Sequence, residues 1–204
     1  MHYQKNYMIK SIDNELAVMS RRCQEIMAVP MKEIAQIPFD DFASLYNSIQ
    51  PTISSWTYNA ADMLDFPRPQ KIVVRCPSNR IKWAAHIVDG VIEYNLRTIF
   101  YADLTWLKGC VIHELCHLFI QNHTKKVWML YNQKIKEAEI VDVAYDGWKK
   151  ERGIEDDDPF MFCHPGIMHV HRQKFDCMLN TFFHKGYTHC TPVKIDYKLL
   201  NDNS

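Results

Sequence analysis

The chain has 204 residues, 47% of them hydrophobic, and 24 basic residues stand against 24 acidic ones. That length and apolar content fit one globular domain able to bury a core of its own. Balanced charge removes the electrostatic argument for a nucleic-acid or membrane partner. No run approaches the roughly 18 consecutive apolar residues of a membrane span.

The first ten residues, MHYQKNYMIK, are polar. They are expected to form a loose lead-in and not an export signal, since no apolar stretch follows the charges. With no such signal, the seven scattered cysteines are expected to be reduced thiols and the chain cytoplasmic. From Asn14 to about Val29, Leu16, Met19, Cys23, Ile26 and Met27 recur at helical spacing, and Pro30 closes the run. Phe39, Phe42, Leu45, Tyr46 and Ile49 predict a second amphipathic helix, with Asp40 near its start and Pro51 after its end. Ser54 to Leu64 holds a further turn or two before Pro67 and Pro69. Residues 71–98 then read as β-structure: Lys71–Arg75, Ile81–Val88 and Val91–Asn95. Asp89-Gly90 between the last two is a hairpin signal, because a type I′ turn needs positive φ at both central residues. Three strands, taken as antiparallel, thus precede the next helix.

That helix carries the candidate chemistry. Asp103 suits its N-cap. Leu104, Leu107, Val111, Leu115 and Leu118 make an aliphatic back face, with Trp106, Gly109, Cys110, His113 and His117 on another. His113 and His117 are one turn apart, so both imidazoles can reach one Zn²⁺. Glu114 points about 100° round the helix from His113. That places its carboxylate beside the ion, where a general base for a zinc-bound water belongs. The third ligand is expected to be His123. A straight helix would carry it about 9 Å beyond His117 and turn it away. The helix is therefore expected to stop near Gln121, with a left-handed reversal centred on Asn122. Glu137 and Glu139 are alternative third ligands. Cys110 and Cys116 read as packed thiols, and Trp106 and Trp128 as core or cleft-wall residues.

Beyond Trp128 the helical pattern runs toward Trp148, followed by an acidic loop over 151–159. Phe175, Met178, Leu179 and Phe182 mark one side of a helix over 173–183, and 191–197 reads as a strand. Cys163, His164, His169, His171, Cys177, His189 and Cys190 lack the CxxC pair that seeds a structural zinc site, and read as scattered packing and surface residues. The chemistry that follows is hydrolysis. Zinc acidifies a water and polarises a carbonyl, and Glu114 moves the proton from that water to the leaving nitrogen. Tyr145, His164, His171 and Arg172 are oxyanion-donor candidates by residue type alone. A strand within 81–95 at a sheet edge could hold an extended peptide.

These residues resemble the YgjP-like family of zinc metallopeptidases, related to the WLM and SprT-type peptidases. The resemblance rests on Lys82-Trp83, Gly90, Tyr94-Asn95-Leu96, His113 to Leu118, Asn122-His123-Thr124 and Val127-Trp128. It covers residues 71–128. It implies His113, His117 and His123 as ligands of one catalytic Zn²⁺ and Glu114 as the catalytic base. Ala84-Ala85-His86 departs from the family's Gly-Ser-Cys, and Val127 from its usual aromatic.

The expected architecture is therefore α+β and zincin-like, a single domain over 1–204. Its core is placed at about 71–148, with a small antiparallel sheet of about three strands packed on the active-site helix. A helical N-terminal region (11–65) and a C-terminal extension (149–204) flank it. A zinc-dependent peptidase acting on protein or peptide is the leading function. A zinc hydrolase acting on RNA and a catalytically inactive, metal-stabilised interaction domain are the alternatives. Similar three-histidine RNA hydrolases look to have Gly where this chain has Glu114, which favours peptide hydrolysis. No membrane partner is expected, and a nucleic-acid partner has no support from charge.

Overall fold

Two long helices come first. In the computed structural model, which describes residues 2–76 and 83–139 together with Phe175, Met178 and Leu179, α1 spans His2–Ala28 and α2 spans Phe39–Met63. A 3-10 turn over Met31–Gln36 joins them. α1 stops just before Pro30, as expected, but it starts at His2, so the polar lead-in is helix. Leu16, Met19 and Cys23 are buried and anchor its middle. Once that nucleus is held, extension through a stretch free of proline and glycine costs little.

α2 differs more. It runs unbroken through Pro51, where the sequence predicted an end. Phe42, Leu45, Ile49, Ile53, Trp56 and Ala60 are all buried, so one apolar stripe continues past the proline and its packing outweighs the missing N–H. Gln50, just before Pro51, reaches out of the helix. Its amide donates to the Ile72 carbonyl at 3.0 Å, and its Oε1 accepts from the Val74 N–H at 2.7 Å.

Those bonds hold β1 (Lys71–Arg75), which lies at one edge of a three-stranded sheet ordered β1-β3-β2. β2 is Ala85–Val88 and β3 is Val91–Asn95. β2 and β3 pair antiparallel, with Val88 opposite Val91 and Ala85 opposite Tyr94. β1 pairs parallel to β3, with Ile72 opposite Ile92. The sheet is therefore mixed, which corrects the antiparallel expectation. Alternation and a hairpin signal define β2–β3 locally, whereas the direction of β1 depends on where α2 delivers the chain. The Asp89-Gly90 turn has φ of 49° and 75°, as a type I′ hairpin requires. A Cβ at Gly90 would meet the Gln70 side chain at 3.1 Å.

Leu96–Tyr101 is a short helix, α3, where β-structure was predicted through residue 98. Asn95 caps it: its Oδ1 accepts from the Arg97 N–H at 3.0 Å, while its Nδ2 donates to the Trp83 carbonyl at 3.1 Å. α4 (Leu104–Cys116) follows, capped by Asp103 accepting from the Trp106 N–H at 2.7 Å. Every residue of α4 from Gly109 to Cys116 is buried, so the helix is enclosed nearly all round and has no distinct aliphatic back. α1 and α2 help enclose it. Asp13 of α1 accepts from Trp56 Nε1 of α2 at 2.8 Å and pairs with Lys108 of α4 at 2.9 Å. Ser20 and Gln24 both donate to the Ala102 carbonyl at the α3–α4 junction, at 3.4 and 3.3 Å.

α5 (Lys125–Glu137) packs on α4 and ends two residues before Glu139, whose φ is 52°. The predicted continuation therefore breaks there, and its remainder toward Trp148 lies outside the described residues. So do the acidic loop over 151–159, the first residues of the Ile81–Val88 strand and the strand over 191–197. Phe175, Met178 and Leu179, three of the four residues predicted to share a helix face, are helical and buried. Phe175 packs 5.0 Å from the Phe100 ring. Cys23, Cys110 and Cys116 are free thiols. Cys76 is disulfide-bonded, contrary to the expectation of reduced thiols throughout. Among the described residues no helix is long and apolar enough to cross a membrane.

Candidate metal centre

α4 delivers His113 in its last turn and His117 at its C-cap. The chain then reverses sooner than predicted. α4 ends at Cys116, not near Gln121, and Asn122 is not among the residues with positive φ. The reversal is made instead by tightening the final turn. Leu118 N–H bonds the Leu115 carbonyl and Phe119 N–H the Cys116 carbonyl, both at 3.1 Å and three residues back. Ile120 N–H bonds Cys116 at 3.1 Å. This fold-back also bears on His117: its Nδ1 lies 2.8 Å from the Ile120 carbonyl, which makes Nδ1 the donor and leaves the Nε2 lone pair free.

The turn returns His123 to the helix end. The Nε2 atoms of His113 and His123 are 3.1 Å apart, those of His117 and His113 3.1 Å, and those of His117 and His123 3.2 Å. Among the described residues this is the group of side chains that could hold a metal ion. Tetrahedral zinc with bonds of about 2.0–2.1 Å sets ligand nitrogens about 3.3–3.4 Å apart, so the triangle fits with small adjustment. Three mutually close imidazole nitrogens are compatible with a metal ion between them, and imidazole suits zinc, copper, iron and nickel. His113 is pushed down to about 3, first by burial and then by His117 and His123. His123 is lowered too, by burial and then by His117. Both shifts keep the rings neutral and able to ligate.

Glu114 is 5% exposed, and burial raises its carboxyl to about 8. Its Oε2 is buried with no hydrogen-bond partner. An orphaned carboxylate oxygen costs roughly 1–3 kcal/mol, which suits a group waiting for a water or a substrate. His113 and His117 are buried and His123 is exposed.

The alternatives fare differently. Glu137 accepts from Gln133 Nε2 and Lys134 Nζ, each at 2.7 Å, and neither it nor Glu139 belongs to the histidine group. Cys110 and Cys116 are buried outside that group, and burial pushes the Cys116 thiol up to about 12. Tyr145, His164, His171 and Arg172, and the rest of the Cys/His-rich C-terminal set, lie outside the described residues. Sequence reasoning missed the Ile120 carbonyl, which no side-chain pattern reveals. Trp128, read as a core or cleft-wall residue, is buried, and its indole packs 4.9 Å from the His113 ring.

A family model described as YgjP-like, metallopeptidase domain, matches residues 3–141. The chain belongs to the YgjP-like metallopeptidase family. The matched span exceeds the 71–128 segment that carried the sequence resemblance and takes in α1 and α2. Membership agrees with a helix-rich α+β fold built on a small mixed sheet, and with a histidine group compatible with a metal ion. No curated protein and no solved structure gives a significant match to the chain.

Proposed function

We propose that the chain is a zinc-dependent peptidase with a zincin-like site, in which His113, His117 and His123 hold one Zn²⁺ and Glu114 is the general base. One observation carries this reading: three Nε2 atoms 3.1–3.2 Å apart, gathered at the end of the helix whose Glu114 keeps a buried, partnerless oxygen. Membership in a metallopeptidase family supports it. Zinc, when bound, supplies a Lewis acid that acidifies water and polarises a carbonyl. Glu114 takes the proton from the attacking water and hands it to the departing amine. Burial raises the proton affinity of this carboxyl above that of an exposed glutamate, which favours its taking a proton and passing it on. His117 is steadied by the Ile120 carbonyl. β2 lies at an edge of the sheet, with backbone groups able to pair with an extended peptide, so the expected partner is a protein or peptide.

The test is Glu114→Gln. Zinc should stay at one ion per chain while cleavage of an unstructured protein such as casein falls by at least about 100-fold, the usual scale for losing a positioned base. Undiminished proteolysis by this variant would remove Glu114 from the role. Loss of zinc from it would show that the carboxylate serves the ligands instead.

A further inference from the structure

The three histidines are held in three different ways. His113 sits in the buried wall of α4, 4% exposed. His117 has its second nitrogen engaged by the Ile120 carbonyl at 2.8 Å. His123 has neither advantage. It lies on an exposed segment, with Gln121, Asn122 and Thr124 also exposed. Its only hydrogen-bond-range neighbours among the described residues are the other two imidazoles. A zinc-ligating histidine ordinarily has its second nitrogen fixed by a carbonyl or carboxylate, and that bond sets the ring's orientation.

An indole packs against the ring. The Trp128 ring lies 5.8 Å from the His123 ring at 32°, and 4.9 Å from the His113 ring, also at 32°. His113 and His123 are stacked on each other at 5.2 Å and 24°. Trp128 is itself fixed. It is 2% exposed, and the fully buried Tyr131 meets it edge-on at 6.0 Å. Tyr131 also meets His113 edge-on, at 5.9 Å. Thr124, next to His123, caps α5, and the Thr124 carbonyl accepts from the Trp128 N–H at 3.5 Å. The first turn of α5 thus fixes where the indole stands relative to the histidine just outside it.

We propose that Trp128 is the positioning residue for the third ligand: its buried indole, tilted against both the His113 and the His123 rings, holds the His123 imidazole at the angle from which Nε2 meets the other two nitrogens. This rests on the ligand set proposed above. Contact with a fixed indole limits the motion of the ring and lowers the entropy lost when it binds. The effect should appear in metal affinity before any substrate is present.

The experiment measures Zn²⁺ affinity by competition with a chromophoric chelator, for wild type, Trp128→Leu, Trp128→Phe, His123→Ala and the double variant Trp128→Leu/His123→Ala. Trp128→Leu should lose about 10–100-fold in affinity, the scale for removing the group that orients a ligand. Trp128→Phe, which keeps a ring face, should recover most of that loss. In the His123→Ala background the leucine substitution should have little further effect, because the residue it acts through is gone. Equal losses in both backgrounds would make Trp128 a general packing residue and overturn the proposal. An unchanged affinity on His123→Ala alone would instead overturn the ligand assignment beneath it. A variant-free check guards against misfolding. In metal-free wild type, His123 ring protons should show cross-relaxation with Trp128 indole protons, and its absence would refute the contact.

Discussion

Removing the Glu114 charge should stabilise the metal-free protein while destroying its proposed activity. Burial raises the Glu114 carboxyl from 4.5 to about 8 in the folded chain, whereas in the unfolded chain it titrates near its ordinary value. At pH 7 folding must therefore retain a proton that the unfolded chain would release. At about 1.4 kcal/mol per pH unit, the interval from 4.5 to 7 makes this cost about 3 kcal/mol. The folded value is the raised one, so the group's contribution is favourable below the unfolded pKa and is lost as pH climbs toward 8. Glutamine has the same shape and no charge. In excess chelator, Glu114→Gln should be about 3 kcal/mol more stable than wild type at pH 7, falling to about 1 kcal/mol at pH 5.5. His113, held at about 3, works in the opposite sense: it favours the fold above its ordinary value of 6.5 and loses that contribution as pH falls. That term is common to both proteins and cancels in the difference. Urea unfolding at several pH values between 5.5 and 8 gives the comparison. A stability difference that stays flat across this range, or one favouring wild type, would refute the claim that Glu114 is charge-strained in the metal-free fold.

Three further outcomes concern the frame around the site. Gln50→Ala removes both bonds to β1 and should cost about 2 kcal/mol in urea unfolding, at about 1 kcal/mol per bond. Hydrogen exchange should quicken at Val74 before it does at Ile92. Gly90→Ala places a Cβ at a φ of 75° and against Gln70, so it should lower stability by about 1–2 kcal/mol, measured the same way. Asp103→Ala loses the cap on the helix that carries the histidines. It should cost about 1 kcal/mol with an unchanged denaturant slope.

Much of the site was legible because its signals are local. An i, i+4 histidine pair on a helix, a cap three residues ahead of the N–H it accepts from, and an Asp-Gly turn all depend on backbone geometry over a few residues. His113, His117, Asp103 and Asp89-Gly90 stand as their spacing implied. The return of His123 was anticipated from distance alone, but its route was not. The expected left-handed Asn122 is replaced by a tightened last turn after Cys116, because 3-10 closure is a low-cost alternative that no single residue advertises.

What only the tertiary structure decided lies in contacts between distant residues. α2 passes through Pro51 because its far half is packed against the core and Gln50 is tied to a strand 22 and 24 residues away. β1 runs parallel to β3 because its direction is inherited from that helix and not from its own five residues. Trp128 could be read from the chain as an apolar residue on α5, but its place against two imidazoles exists only once α5 packs on α4. Sequence determined which atoms were available and the local geometry that offers two of them together. Long-range packing decided which rings lie against the third imidazole, because His113 and Trp128 flank it only once α5 has packed on α4.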